Sequence, residues 1–334
     1  MKKLLLLFLL AFLAVPIASA EESVVTLTTT LDEGASIKLY TWADSMDDAF
    51  TIDWGDGVEK IYNKVKPSWT YGSEITGKLG ASKTITIKGD ITYLEIKEMQ
   101  ISAATFANTK LKEVDMEKNQ LTDFNLSGLP EVTKLSLNEN SIVTFSSTGN
   151  SVLKNLGLKS NKIDSHQFEI SSLANSLEQL NVSENGENFV ALNLINFDKL
   201  QYFTANDNPE LTTVVFYDGS TNLKQISMNN CHIMHFYAIS LPNLSSLNLS
   251  NNALLDFENG TYPNLSTLSV NGNYLSEIDV TKFPKLFSFD CSSNQLTDIN
   301  VANNPELNYF NCGNNKLTSV DVSTNKELGS LLVN

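Results

Sequence analysis

The sequence contains no arginine, and it has only three cysteines, three histidines and three tryptophans. All 23 basic residues are lysines, and with 38 acidic residues they give a formal net charge of −15 at pH 7. Nucleic-acid-binding proteins usually present basic patches and arginine side chains that grip phosphates and guanine. We therefore expect no nucleic-acid partner, and the acidic balance also argues against an anionic membrane surface.

The few cysteines and histidines give no sign of a disulfide framework or a metal centre. Cys291 and Cys312 hold the same place in adjacent copies of a sequence repeat, which leaves two interpretations. They are buried thiols that pack as small apolar side chains, which we favour, or they form a disulfide between neighbouring strands. Cys231, His232 and His235 are close in sequence, but the repeat turns Cys231 inward and leaves His232 in a loop. We expect no metal site and no cofactor.

Catalytic motifs are also missing. The chain shows no Ser-His-Asp arrangement, no Gly-x-Ser-x-Gly elbow, no phosphate-binding loop and no dinucleotide-binding fingerprint. A hydrolase would need a buried carboxylate pair or a metal site, and neither can be assigned from the sequence. We therefore predict that the protein is not an enzyme.

One long apolar run occurs, and it lies at the start of the chain. Lys2 and Lys3 precede an apolar segment over residues 4–15, and small residues follow at 18–20. This order predicts a secretory signal peptide over residues 1–20. No later segment approaches the roughly 20 apolar residues that a membrane-spanning helix needs. We expect export to the periplasm, the cell surface or the extracellular space, with no membrane insertion after the signal is removed.

A 21-residue repeat covers about two-thirds of the chain. Apolar residues recur at offsets 0, 3 and 5, asparagine usually stands at offset 8, and apolar residues return at offsets 10, 13 and 15. Evenly spaced leucines open the regular units: Leu223, Leu244, Leu265, Leu286, Leu307 and Leu328. The units between Leu153 and Leu223 are longer, which we interpret as drift of the repeat rather than as a binding edge.

The repeat resembles the leucine-rich repeats, in particular the 21-residue bacterial class called IRREKO, over residues 91–334. The resemblance implies a mainly β, right-handed solenoid of about eleven units, with short parallel strands and little helix. The second apolar cluster of a unit, as in Phe124 and Leu126, alternates with period two. The far side of each coil should therefore be extended or tightly turned rather than helical.

The asparagine at offset 8 recurs in nearly every unit. An inward asparagine at a turn can bond backbone groups of the neighbouring coil, so we interpret these residues as structural. Cys231 takes this place in one unit. The nine asparagines are Asn119, Asn140, Asn161, Asn185, Asn208, Asn252, Asn273, Asn294 and Asn315.

Residues 21–90 lack the repeat and have alternating apolar patterns with turn residues between them, which predicts β-strands. The phrase from Ile52 to Gly57 resembles the hairpin motif of PKD-like β-sandwich domains. We expect a small β-sandwich-like domain that caps the solenoid, with Trp42, Trp54 and Trp69 in its core. The alternatives are an exposed aromatic platform for a sugar and, for the acidic residues of the hairpin, a calcium loop in place of a turn.

Offset 4 of each unit points away from the core, in a strand that ends the first apolar cluster. The resulting row is small, polar and nearly uncharged, and two tyrosines stand beside it. The candidate ligand-binding residues are Asp115, Asn181, Tyr202, Thr204, Ser227, Asn248, Ser269, Asp290, Tyr309 and Asn311.

These features predict a monomeric, non-catalytic secreted or cell-surface protein that binds a protein on the strand face, as in adhesion. The alternative is a glycan-binding surface protein, and a solvated face without a ligand also stays open. The resemblance to exported proteins of gut and oral Bacteroidetes implies surface or extracellular binding. Residues 328–333 begin another unit, so either the last strand is its own cap or the natural protein is longer.

Overall fold

The computed structural model describes residues 22–44, 49–63, 74–216, 221–236, 238, 240–257 and 260–334. The predicted signal peptide and Trp69 lie outside these ranges, so the predictions made for them are not addressed by the structure.

Eight strands form between residues 24 and 107, several of them with buried and more exposed residues alternating along the chain. Five pair antiparallel in the order β4-β3-β6-β1-β8, whereas β2 pairs antiparallel with both β5 and β7. β8 lies beyond residue 90, in the part of the chain that forms the first coil, but it pairs with β1. The first coil therefore contributes a strand to this sheet. The strands are β1 (Val24–Thr29), β2 (Ser36–Ala43), β3 (Phe50–Asp53), β4 (Glu59–Tyr62), β5 (Glu74–Lys78), β6 (Thr84–Lys88), β7 (Ile91–Glu95) and β8 (Ile101–Ala107).

The two groups of strands pack face to face around Trp54. This side chain is fully buried, and a Cβ added to Gly77 in β5 would come within 2.1 Å of its ring. The carboxylate of Asp53 accepts hydrogen bonds from the N–H groups of Gly55, at 2.8 Å, and Gly57, at 3.0 Å. The acidic residue thus performs the turn role that we favoured. Trp54 and Trp42 are buried, as predicted for core residues.

Sixteen further strands of two or three residues each follow, together with two short 3-10 helices, Ser165–Gln167 and Ser171–Leu173. The strands are β9 (Glu113–Asp115), β10 (Asp123–Asn125), β11 (Lys134–Ser136), β12 (Thr144–Ser146), β13 (Asn155–Gly157), β14 (Phe168–Glu169), β15 (Gln179–Asn181), β16 (Ala191–Asn193), β17 (Tyr202–Thr204), β18 (Thr213–Val215), β19 (Gln225–Ser227), β20 (Ser246–Asn248), β21 (Thr267–Ser269), β22 (Ser288–Asp290), β23 (Tyr309–Asn311) and β24 (Ser330–Leu332).

One 14-stranded sheet runs the length of the molecule, in the order β24-β23-β22-β21-β20-β19-β17-β15-β13-β11-β9-β7-β2-β5. Its antiparallel pairs are β2 with β5 and β2 with β7, and its other twelve strands, from β7 to β24, stack in parallel, one per coil. The predicted fold class, a mainly β solenoid with short parallel strands and little helix, is confirmed.

The far side of the coils is extended, as the period-two pattern predicted. β10, β12 and β14 form a parallel three-stranded sheet, and β16 and β18 form a parallel pair. The two sheets are separate, and the two 3-10 helices lie in the chain between β12 and β16. The longer units predicted between Leu153 and Leu223 thus coincide with a break in the far-side sheet.

The offset-8 asparagines connect neighbouring coils. The Nδ2 of Asn140 donates to the carbonyls of Met116 and Leu137, both at 3.0 Å, while its Oδ1 accepts from the Leu121 N–H at 3.1 Å. This confirms the structural role. Eight of the nine asparagines are buried, whereas Asn315 is partly exposed in the last complete coil.

The cysteines are buried free thiols. Cys231 replaces the asparagine of its coil, and its Sγ lies 3.1 Å from the carbonyl oxygen of Ala205. Cys291 and Cys312 sit among apolar side chains of adjacent coils, as we favoured. Burial raises the pKa of each thiol above its ordinary value, so all three are held as unreactive thiols at neutral pH.

Candidate ligand-binding face

The short strands of the solenoid present one continuous face, because their middle residues point inward and the flanking residues point outward. In β22, Phe289 is fully buried while Ser288 and Asp290 are partly exposed. Parallel pairing in register puts equivalent positions side by side from strand to strand. All ten predicted site residues lie on this strand face: Asp115, Asn181, Tyr202, Thr204, Ser227, Asn248, Ser269, Asp290, Tyr309 and Asn311.

From β19 onward, side chains of the strand face bond to one another. Ser250, just after β20, donates from Oγ to the Oδ1 of Asn248 at 2.7 Å or to that of Asn271 at 2.6 Å. Asn311 donates from Nδ2 to the carboxylate of Asp290 at 3.2 Å. These contacts hold the side chains in place before any ligand arrives, which lowers the entropic cost of binding.

The end of the face nearest β7 is charged. The Nζ of Lys97 lies 2.6 Å from Asp115, 3.6 Å from Glu117 and 3.9 Å from Glu95. Burial raises the pKa of the Asp115 carboxyl, although its hydrogen bond to Lys97 opposes this. Burial also opposes ionisation of Glu117, but hydrogen bonds from Ser136 and Asn138 lower its pKa below the ordinary value.

Sequence analysis placed Asp115 at the start of the polar row and missed its neighbours Glu95 and Lys97. A signal was present, because Ile91, Leu94 and Ile96 open an irregular first unit. In that unit Glu95 takes offset 4. The charged end of the face could therefore have been predicted by applying the repeat to the first coil.

A depression of about 320 Å³ interrupts the face at Gly157, which we call the Gly157 notch. It brings together Asn181, Tyr202 and Thr204 of the predicted residues, and the other seven lie elsewhere on the face. Tyr202 is 36% exposed, and the Lys224 ammonium lies 5.9 Å from the centre of its ring.

A larger depression, of about 650 Å³, lies away from the predicted site and is lined by acidic side chains that include Asp256, Glu277 and Asp298. These residues hold offset 12 of successive units. His235 holds the same offset one unit earlier, and its Nδ1 lies 3.0 Å from the Asp256 carboxylate. Sequence analysis did not single out this acidic row.

Within the described ranges, no group of three or more histidine, cysteine, aspartate or glutamate side chains is arranged to hold a metal ion. In the same part of the chain, no helix has the length and apolar character that crossing a membrane requires.

Comparison with solved structures identifies the fold. The functional domain of InlJ from Listeria monocytogenes, which includes a cysteine ladder, is similar over 76% of this chain at 22% identity, with a TM-score of 0.64. The chain spans only 56% of that InlJ structure. No family model matches the sequence, and no curated protein matches it either.

Two further bacterial proteins have similar structures, at lower TM-scores. The internalin inlF of Listeria monocytogenes matches 72% of this chain and 80% of its own, at 21% identity and a TM-score of 0.47. The leucine-rich-repeat protein LIC12759 of Leptospira interrogans matches 67% of each chain, at 20% identity and a TM-score of 0.48. The architecture, together with the likeness to InlJ, defines a leucine-rich-repeat solenoid.

Proposed function

We propose that this chain is an exported, non-catalytic binding protein that holds a protein partner on its strand face. The observation that carries the proposal is the strand face itself. Twelve parallel strands present polar side chains in register, and several of those beyond β19, such as Ser250 with Asn271 and Asp290 with Asn311, bond to one another. A fixed surface of this kind is suited to recognition, because little side-chain entropy is lost on binding.

The size of the face fits this role. Twelve strands at a spacing of about 4.8 Å give a surface roughly 50 Å long. An ordinary protein–protein interface buries about 800 Å² on each partner, and a surface of this length can hold one. Charge adds selectivity, since the end near Lys97 has three carboxylates around one ammonium group while the other end is nearly neutral.

The finer assignments belong to the same proposal. Export rests on the signal-like residues 1–20, and the repeat type rests on the 21-residue IRREKO-like spacing. The PKD-like phrase around Trp54 and the resemblance to Bacteroidetes proteins favour a surface or extracellular location. We propose that residues 21–90 cap the solenoid, that residues 91–334 form about eleven units, and that the chain is a monomer.

Paired lysine substitutions test the strand face. Asp290→Lys with Asn311→Lys places two new positive charges on adjacent coils of the face. The matched control, Asp279→Lys with Asn300→Lys, makes the same charge change on adjacent coils in the larger depression. Asp290 and Asp279 each accept a backbone N–H two residues later, at 3.0 Å in both cases, so the local structural cost is similar.

The measurement is a pull-down of residues 21–334 against a panel of purified extracellular proteins, followed by titration of each hit. We expect a saturable hit that the face variant loses and the control retains. Equal affinity for both variants would remove the strand face from the binding site. A panel without hits would count against a protein partner.

A second candidate function is glycan binding, because the ring of Tyr202 is exposed on the strand face beside polar side chains. Tyr309 stands five strands further along, roughly 25 Å away at ordinary strand spacing. The two tyrosines therefore do not form one platform, and a glycan site would depend on Tyr202 alone.

A further inference from the structure

The row of outward side chains at offset 4 contains a single glycine among the predicted strands, Gly157 in β13. Neighbouring strands carry Ser136 on one side and Asn181 on the other at this position, in direct register. The missing side chain opens the Gly157 notch, to which four adjacent strands contribute. The notch is therefore a concave site on a face that is otherwise filled.

The notch has an apolar floor and a polar rim. Leu135, Leu156 and Leu180 lie beneath it and are at most 2% exposed. The rim is formed by side chains that carry amides and hydroxyls, with Tyr202 as one wall. The rim residues used below are Asn155, Gln179, Asn181, Tyr202 and Thr204.

The aromatic wall has one side available. Lys224, over the ring of Tyr202, comes from the coil that follows β17. The residues that line the notch come from the same coil as Tyr202 or from the three coils before it. The ammonium and the notch thus lie on opposite sides of the phenol, and the side beside Gln179 borders the notch.

Among the described residues, several side chains of the rim have unused hydrogen-bonding groups. In the described part of the chain, the side-chain amides of Asn155 and Gln179 and the hydroxyls of Tyr202 and Thr204 take no protein partner. By contrast, Asp290 and Asn311 bond to each other. Donors and acceptors around the notch are therefore available to a ligand, and they surround a depression next to the ring of Tyr202.

Hydrogen bonds hold the side of the notch beside β11. The Asn138 amide donates to Glu117 at 2.7 Å and accepts from the Lys159 N–H at 2.8 Å. Its Oδ1 would be 3.0 Å from a Cβ added at Gly157. The φ angle of Gly157 is not in the left-handed region, so a larger residue can be placed there without backbone strain.

The charges around the notch restrict the kind of ligand that can bind there. The one ammonium at the rim, Lys134, lies 3.8 Å from the carboxylate of Glu113. The whole chain carries a net charge of −15, which disfavours anionic ligands at close range. A neutral ligand with hydroxyl groups and an apolar face fits the notch best.

We propose that the Gly157 notch binds one neutral pyranose ring, as a free sugar or as a residue of a glycan. The apolar C–H face of the ring packs on Tyr202, as aromatic side chains with one open face allow. Its hydroxyls exchange hydrogen bonds with Asn155, Gln179 and Thr204. This site rests on the second candidate function, glycan binding, and assigns it a ligand class, and its residues differ from those that test the protein partner.

The test uses residues 21–334 and a glycan microarray that carries both neutral and anionic glycans, followed by calorimetric titration of the best neutral glycan. Gly157→Leu fills the notch, and Tyr202→Ala removes the wall. Thr267→Leu is the matched control, because it adds a leucine on the same face in β21, away from the notch. Circular dichroism and the unfolding midpoint confirm that each variant folds like the parent.

We expect the parent to bind neutral glycans, and Gly157→Leu and Tyr202→Ala to lose at least about tenfold in affinity. Thr267→Leu should stay within about twofold. Three outcomes would overturn the proposal: no binding to any neutral glycan, equal binding by the notch variants, or a preference for sialylated or sulfated glycans. Because the protein-partner test changes Asp290 and Asn311, failure of one proposal can be told from failure of the other.

Discussion

The Nδ2 of Asn252 donates to the carbonyl of Met228, one coil earlier in the stack, at 2.7 Å. The same amide group donates to the Leu249 carbonyl at 3.0 Å, and its Oδ1 accepts from the Ile233 N–H at 3.1 Å. A single side chain thus satisfies backbone groups of two coils in a place that is 8% exposed. The repeat keeps asparagine there because few other side chains both donate and accept at this length.

Replacing this side chain should be costly. Asn252→Ala leaves three backbone groups with a lost partner in a buried place, so we expect the free energy of unfolding to fall by about 2 to 4 kcal/mol. Urea denaturation followed by circular dichroism measures the change. Asn300→Ala is the control, since Asn300 is exposed and its Oδ1 accepts from a single N–H, that of Ala302, at 3.0 Å. A similar loss in both variants would contradict the structural role of offset 8.

Cys231 holds the offset-8 place of a coil that lacks the asparagine. The thiol reaches the Ala205 carbonyl, but the Leu211 N–H, which an asparagine Oδ1 could serve by analogy with other coils, donates to the Asn208 carbonyl at 3.0 Å. Cys231→Asn restores the residue of the repeat. We expect it to stabilise the fold by about 1 kcal/mol at pH 7, as judged from the urea midpoint. Cys231→Ser is the comparison, because it is polar but too short to span the coils, and it should not stabilise.

The same position gives a pH dependence. Burial raises the pKa of Cys231 from 9.0 to about 11. Between these values the unfolded chain releases the thiol proton and the folded chain retains it, so folding stability falls as pH rises through this window. The difference in unfolding free energy between Cys231→Asn and the parent should therefore grow from pH 8.5 to pH 11, by up to about 2 kcal/mol. A constant difference would show that the folded thiol ionises freely.

Lys97 offsets the negative charge of three carboxylates at the charged end of the strand face. Lys97→Ala leaves Asp115, Glu117 and Glu95 without their shared cation. Since these groups are only partly buried, we expect a loss of about 1 to 2 kcal/mol at pH 7 rather than the larger cost of a fully buried charge. The direction in which this loss of stability changes with pH follows from the ionisation of the carboxyl groups. Their repulsion is present while they are ionised and disappears as they take up protons, so the deficit should shrink between pH 7 and pH 4.

Thermal unfolding at several pH values measures this deficit. Lys134→Ala is the control, because Lys134 is more exposed and lies 3.8 Å from Glu113 alone. A deficit that stays constant between pH 7 and pH 4 would mean that Lys97 stabilises the fold through packing of its carbon chain and not through its charge.

The solenoid could be predicted because each offset of the repeat has one environment. Leu265, Leu286 and Leu307 open successive units, and all three are fully buried. The offset of a residue in the repeat is therefore enough to predict whether its side chain points inward. The structural role of the offset-8 asparagines could be predicted for the same reason. The exception at Cys231 was also recognisable, since its size and polarity suit the same buried turn.

The notch was not predicted, although its strand partners follow from the repeat. Lys134, Asn155, Gln179 and Tyr202 all hold offset 2 of their units and are neighbours in the register of β11, β13, β15 and β17. The repeat does not show how far their side chains fill the space beside Gly157, and the depression depends on that filling. A period-two pattern also does not identify the partner of a strand, so the stacking of Trp42 on Tyr93, at 3.8 Å between ring centres, could not be predicted.

The pairing of Trp42 with Tyr93 also gives the cap a testable role. β2 pairs with β7, and β1 pairs with β8, so the N-terminal strands cover both edges that the first coil would otherwise expose. Removing residues 21–90 would uncover Leu94 and Ile101, which are fully buried. Exposed apolar strand edges promote association between chains. We expect residues 91–334 to aggregate or elute as oligomers in size-exclusion chromatography, where residues 21–334 elute as a monomer.

Truncation at the other end is the matched control. Residues 21–327 lack β24, whose Leu331 and Leu332 are already 41% and 44% exposed. Its removal uncovers less new apolar surface than loss of the N-terminal strands, so this shorter chain should remain soluble. If residues 91–334 instead stay monomeric, with the same unfolding midpoint as residues 21–334, the N-terminal strands do not act as a cap. In that case the first coil is stable without strands paired to its edges, and the stacking of Trp42 on Tyr93 is not needed to keep the solenoid monomeric.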